Sequence, residues 1–309
     1  MENVPTIIDL GGQVVLLEQT MEKDERFSWT AFNPSILKHG GKTYVTVRSS
    51  NYEILETGTH RLLGYNDIIN KIWLCELSDD LKLVNRRLLS QDSLNMRRGL
   101  EDARLHHDKH GNIRMYAIGL EKWIPRARVV ECALDDELTR ITGVTVLPGL
   151  EENSIEKNWV APSGVDANFD YWHSPGMVYA GGKFRKVQNK CDVPVGLRGS
   201  TPFIQYGEEL IAVMHVTLEL RAGREYDNAT FAYRSFNKRK YAHYLVTANK
   251  DGELTRVSNP FRFKIDGVEF AAGIMKTRDG YAVTYGAGDR VARLAHIPDQ
   301  VAAQLLMVD

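Results

Sequence analysis

Glu101-Asp102-Ala103-Arg104-Leu105, a turn at Lys109-His110-Gly111-Asn112, and Ile113-Arg114-Met115-Tyr116-Ala117-Ile118 read as a β-hairpin opened by two carboxylates. With Arg97 and Arg98 just ahead, the opening gathers three guanidinium groups around two acids. An acid so placed either stays ionised or exchanges protons with a ligand, depending on its burial. A surface ion-pair cluster at a strand start has the same composition. What tells against that reading is recurrence.

Four further segments follow the same plan: a polar residue opens a strand, a turn follows, and a second strand ends in polar residues. They are 32–37 with 43–50, 156–160 with 171–174, 200–204 with 210–217, and 269–274 with 282–289. Outer strands before acidic turns come after several of them, at 72–77, 129–134 and 244–247. The openings recur at about 59 residues, the size of unit that a β-propeller stacks around a central channel. The expected fold is therefore all-β: one domain over 1–309, a five-bladed β-propeller with a short C-terminal helix over 299–306. The stretch 13–17 is expected to complete the last blade. The polar insertions 53–67 and 218–240 read as long loops near one face.

Composition narrows the function classes. Of the 309 residues, 43% are hydrophobic and 26% charged, which suits a globular chain with a substantial core. A net charge of −1 gives no field for nucleic acid or an anionic membrane. Met1-Glu2-Asn3-Val4-Pro5 is not a basic segment before an apolar run, and no stretch of ~18 apolar residues exists. A soluble, cytoplasmic protein is expected. Cys75, Cys132 and Cys191 are isolated and read as small buried hydrophobes. No His/carboxylate spacing demands a metal, and no resident cofactor is expected.

If the innermost strands line a channel, Asn33, Asp102, Lys157, Ser200 or Thr201, and Glu269 converge there. Successive strand residues face opposite sides, so only one of Glu101 and Asp102 is expected to reach a common site. Arg48, Arg104, Lys157, Arg198 and His215 are cationic or donor candidates at the same level. Asn158 and Ser174 flank them as polar contacts. Tyr241 and His243 open an outer strand, and Asp289 either binds a ligand or braces Gly286-Ala287-Gly288. Trp159 and Trp172 either stack on a sugar or fill the space between blades.

Ala31-Phe32-Asn33-Pro34, Gly99-Leu100-Glu101-Asp102-Ala103-Arg104, Arg198-Gly199-Ser200-Thr201-Pro202, His215, Glu269 and Tyr285-Gly286-Ala287-Gly288-Asp289 together resemble glycoside hydrolase family 130. That family comprises five-bladed propellers acting as inverting mannoside phosphorylases or hydrolases, and related mannosyltransferases share the fold. The match runs along most of the chain in short motifs. Ala103 stands where the family usually has proline, and Glu156-Lys157-Asn158-Trp159 suits a more distant branch. The resemblance implies a glycan or sugar substrate and Asp102 as general acid. A phosphorylase would hold phosphate on the cations, with no base needed. A hydrolase needs a second carboxylate about 6.5–9.5 Å away, for which Glu156 and Glu269 are the candidates. A glycosyltransferase would use the cations for the diphosphate of a sugar nucleotide. A non-catalytic glycan-binding propeller is the reading from another class. Exposed blade sides leave a homo-oligomer open.

Overall fold

The computed structural model describes residues 4–17, 23–24, 27–55, 60–64, 66–89, 96–121, 127–151, 154–227 and 232–307. The hairpins expected at 32–50, 101–118 and 269–289 are present. The stretch 156–160 is reduced to a single bridge at Val160, and the fourth unit pairs through 197–199 and 204–206 rather than through 200–204. The five larger antiparallel sheets are arranged as a five-bladed β-propeller. The first blade runs Thr30–His39, Lys42–Ser50, Asn70–Leu77, Leu83–Leu88. The second runs Met96–His107, Ile113–Glu121, Ala127–Leu134, Ile141–Val146. The third is shorter, with Tyr171–Ser174, Met177–Ala180 and Lys183–Lys186, and on its inner side Val160 bridges Trp172. In the fourth, Leu197–Gly199 and Ile204–Tyr206 share the long strand Glu209–Asp227, followed by Ala232–Ala248 and Leu254–Val257. The fifth joins Glu269–Lys276, Gly280–Ala287 and Val291–Pro298 to Gln13–Leu16, so the N-terminal strand closes the ring as expected.

Both faces of each blade are covered by neighbours, which is why the middle strands are rich in β-branched, aromatic and small residues. Five apolar clusters fill the five seams. Ile72 and Leu74 meet Leu105 and Met115 between the first and second blades, and Tyr116 and Ile118 meet Trp159 and Tyr171 in the next seam. Trp172 packs with Phe203 and Met214, Val213 with Ala271 and Val283, and Val45 with Ala282 and Leu294. Trp159 and Trp172 are fully buried in these seams, so neither offers a ring face to a sugar. The helix Asp299–Leu306 buries Val301, Ala302, Leu305 and Leu306 against the seam of the fourth and fifth blades.

The two expected loops are paired instead. Tyr52–Ile54 pairs with His60–Leu62, and the fourth-blade ladder continues from Leu218↔Lys240 to Asp227↔Ala232 as a long hairpin. Polarity reports burial, not pairing. A ladder begun inside a blade extends through backbone hydrogen bonds whatever its side chains are.

Innermost strands break register at matched points: between Phe32 and Ser35, between Glu101 and Arg104, and between Ala271 and Gly273. Asn33 (φ 49°) and Asp102 (φ 51°) sit within the first two breaks, and Asn158 (φ 64°) opens the inner segment of the third blade. Left-handed backbone is uncommon outside glycine, and Asn and Asp tolerate it best. Bulges of this kind re-aim side chains, and such strain clusters at functional sites. Gly286 belongs to the same device: a Cβ there would lie 2.0 Å from Asn33 Oδ1 and 2.7 Å from Asn33 N.

Candidate active site

The strained positions build a charged wall where the first and second blades meet. Asp102 Oδ1 accepts hydrogen bonds from Asn33 Nδ2 (2.8 Å) and Arg48 Nη1 (3.0 Å). Arg48 also lies 3.4 Å from Glu101 Oε1 and donates through Nε to Asn70 Oδ1 (2.9 Å). Its guanidinium rests on the rings of Phe32 and Tyr52 and is only 6% exposed. Lys157 reaches the far oxygen of Glu101 at 3.5 Å. Both Glu101 and Asp102 therefore serve one cation. Strict alternation would have separated them; the bulge and the positive φ at Asp102 turn its side chain back toward its neighbour's partner.

Arg104, one of the expected cationic contacts at the channel, lies deeper. It is 1% exposed, packs between the rings of Tyr116 and Phe270, and donates to Trp159 O (3.1 Å). Arg48 holds Asp102 instead. Burial pushes the Asp102 carboxyl up, but Arg48 beside it, the Asn33 amide, and then Arg104 and Lys157 hold it below the usual carboxylate range. Asp102 keeps 15% side-chain exposure, so a ligand can reach it. On the fifth-blade side, Tyr52 donates to Asp289 Oδ2 (2.9 Å), which draws Asp289 (φ 50°) toward Arg48.

The fourth blade contributes a buried aromatic floor. His215 stacks on Tyr241 (centroids 4.7 Å, planes 12° apart), and its Nδ1 shares a 2.7 Å hydrogen bond with Ser200 Oγ. Burial, then His243, Arg104 and Arg198, push the His215 imidazole well below its usual range, so it is neutral. Thr201 faces its own backbone, accepting from Val213 N and donating to Pro202 O.

A second part of the site is a cleft of about 430 Å³ between the third and fourth blades, lined by Lys157, Asn158, His173, Ser174 and Arg198. Glu156 stands at its edge but is spent. Its oxygens take Leu150 N, Trp159 Nε1 (3.0 Å), His173 Nε2 (3.0 Å) and the Ser154 hydroxyl. Against burial, the bonds from His173, Ser154, Leu150 and Trp159 pull its carboxyl down to about 2. Because that carboxylate can only accept, His173 donates through Nε2, and its Nδ1 shares a 2.8 Å hydrogen bond with the Ser174 hydroxyl. Lys157 and Arg198 are exposed.

Besides Arg104 and Thr201, two further expected site residues are turned away from a ligand. Glu269 is fully buried, and both its oxygens are taken by the amides of Phe263 (2.8 Å), Lys264 (2.9 Å) and Ile265 (3.0 Å). Burial pushes its carboxyl up against the pull of those amides. The side chain pins a loop. His243, also fully buried, gives Nε2 to Glu269 O (2.9 Å) and packs on Phe261 and Phe263, away from any ligand. Conversely, Asn70, Tyr52 and His173 take part in the site without having been singled out in the sequence. Asn70 and Tyr52 lie in the first blade's outer elements, and no spacing connects them to Arg48.

No family model and no curated protein sequence matches the chain. Solved structures do. A β-1,2-mannobiose phosphorylase from Listeria innocua, in complex with β-1,2-mannobiose, superposes with a TM-score of 0.61 at 13% identity, covering 98% of this chain and 96% of that one. A mannose phosphorylase from Leishmania mexicana, in complex with phosphate ion, gives 0.57 at 12%, covering 96% and 91%. A structure from the GH130 family of mannoside phosphorylases, which contains glycoside hydrolases that target β-1,2 mannosidic linkages in Candida mannan, gives 0.52 at 16%, covering 88% and 85%. At these identities the likeness speaks for architecture: the chain folds as a five-bladed β-propeller like those of the glycoside hydrolase family 130 proteins.

Proposed function

We propose that this chain catalyses inverting glycosyl transfer from a mannoside, as a phosphorylase or hydrolase, with Asp102 as general acid. The observation carrying this reading is the Asp102 carboxylate on a left-handed bulge, gripped by Asn33 and Arg48 yet still partly exposed. Its proton would pass to the departing glycosidic oxygen, directly or through a sugar hydroxyl, as the nucleophile attacks the opposite face of the anomeric carbon. In the free protein the carboxyl is ionised. An anion bound against Arg48 or Lys157 would offset the cations that depress it and let it take up the proton it must deliver. That requirement favours phosphate as co-substrate, since phosphate needs no base and both carboxylates expected to serve as base, Glu156 and Glu269, are fully hydrogen-bonded. His215, Tyr241 and Ser200 would shape the sugar-binding floor.

The cleft beside Lys157 and Arg198 supports a second reading, a sugar-nucleotide-dependent glycosyltransferase in which those cations hold the diphosphate. Incubation with β-1,2-mannobiose and inorganic phosphate separates the possibilities. Mannose 1-phosphate marks a phosphorylase, mannose alone a hydrolase, and turnover only of a nucleotide sugar the transferase. No turnover across such panels, with sugar binding retained by Asp102→Asn, leaves a non-catalytic glycan-binding propeller.

A further inference from the structure

The innermost strands that carry Asn33 and Asp102 end in His39 and His107, about 17–20 Å further on at ~3.3 Å per residue. There the two imidazoles meet across the seam between the first and second blades. His39 Nδ1 and His107 Nε2 are 3.1 Å apart, the ring centroids 5.2 Å apart and the planes inclined at 42°. His39 is exposed and His107 half-buried, so the pair is open to solvent. His107 is held from the third blade as well: its amide donates to Ser163 Oγ (3.0 Å) and its carbonyl accepts from Gly164 N (2.9 Å).

The geometry points to a two-histidine site for a divalent transition ion of the zinc, nickel or copper class, clipping the first blade to the second. Imidazole nitrogen is the ligand these ions share. Two imidazoles on one tetrahedral zinc, at a Zn–N distance of about 2.0–2.1 Å, have nitrogens about 3.3 Å and ring centroids about 5.2 Å apart. The observed pair is already at that separation, so an ion replaces the proton the rings now share with only a small adjustment. Among the described residues no group of three or more His, Cys, Asp or Glu gathers for a metal. Asp108, next along the chain, is committed to its own turn through His110 N, Asn112 and Arg114. Water completes the coordination, which makes the ion exchangeable.

The test uses untagged full-length protein, treated with a chelator and then titrated with zinc chloride. One ion per chain by calorimetry, a raised melting temperature, and intense visible absorption with cobalt(II) are expected. His39→Gln, at an exposed position, and His107→Gln should each abolish the shift. His110→Gln, in the adjacent turn, should keep it. No binding, or a zinc response unchanged in both paired variants, overturns the assignment. Mannoside turnover is not part of the readout, so this test stands or falls apart from the proposed activity.

Discussion

Glu101-Asp102 in the second blade and Glu269 in the fifth lie on equivalent innermost strands and meet opposite fates. The second-blade acids share a single guanidinium and keep part of their surface free. Glu269 has three amide donors on two oxygens and no exposure. The residue type is the same; what differs is whether the protein itself has satisfied the lone pairs. A carboxylate already saturated by backbone donors fastens a loop. One held on a single cation and still partly exposed has capacity left for a substrate.

Exchanging the two acids for their amides tests that contrast most strongly. Asp102→Asn should lower turnover of whichever glycoside is found by about 10²–10⁴-fold while the fold is retained, because the Asn Oδ1 can still accept from Asn33 and Arg48. Glu269→Gln should do the reverse. It replaces a charged acceptor of three amides with one oxygen and a clashing donor, at a cost of about 3 kcal/mol or more in urea unfolding, while the folded fraction keeps its specific activity. If Glu269→Gln is stable and inactive, the comparison fails.

The buried histidines of the fourth and second blades give the next effect. Burial first of all pushes His243 to about 4 and His106 to about 3, and His215 falls well below its usual value. Their folded values are depressed below the ordinary value of about 6.5, so the unfolded chain binds the proton first. Stability is therefore full above about pH 6.5 and declines as pH falls toward about 4, by up to about 1.4 kcal/mol per pH unit for each histidine. Chemical denaturation at pH 7, 6 and 5 reads the slope, and His243→Phe should flatten it. A flat profile would mean these rings are not neutral and enclosed.

Gly286→Ala sharpens the contrast from the fifth blade. A methyl 2.0 Å from Asn33 Oδ1 must displace the amide that orients Asp102. A loss of about 1–3 kcal/mol, together with reduced turnover, is expected from activity and melting measured on the same preparation. The smallest effect belongs to the exposed Arg198. Arg198→Ala should change stability by no more than about 0.5 kcal/mol while raising KM for the anionic co-substrate. An unchanged KM would remove it from the wall.

Much of the architecture was legible. Alternation, turn residues and the recurrence of polar strand openings led to five blades, and the strands at 13–16 and the helix at 299–306 fell where expected. The segments 218–227 and 232–240 read as loop from their composition yet pair, because composition reports burial while pairing depends on the opposite strand. The site was legible as a list and not as an arrangement. Asn33, Arg48, Asp102 and Lys157 do come together, but Arg48 rather than Arg104 holds Asp102, and Glu101 is not turned away.

The division has a physical origin. Side-chain period and turn chemistry are local properties, written in neighbouring residues, so the strands and their repetition could be read from the chain alone. A carboxylate's role depends on which donors from other blades fill its lone pairs and how much water remains. Those donors arrive from residues up to hundreds of positions away, as Tyr52 does on Asp289, and only the closed ring brings them within reach.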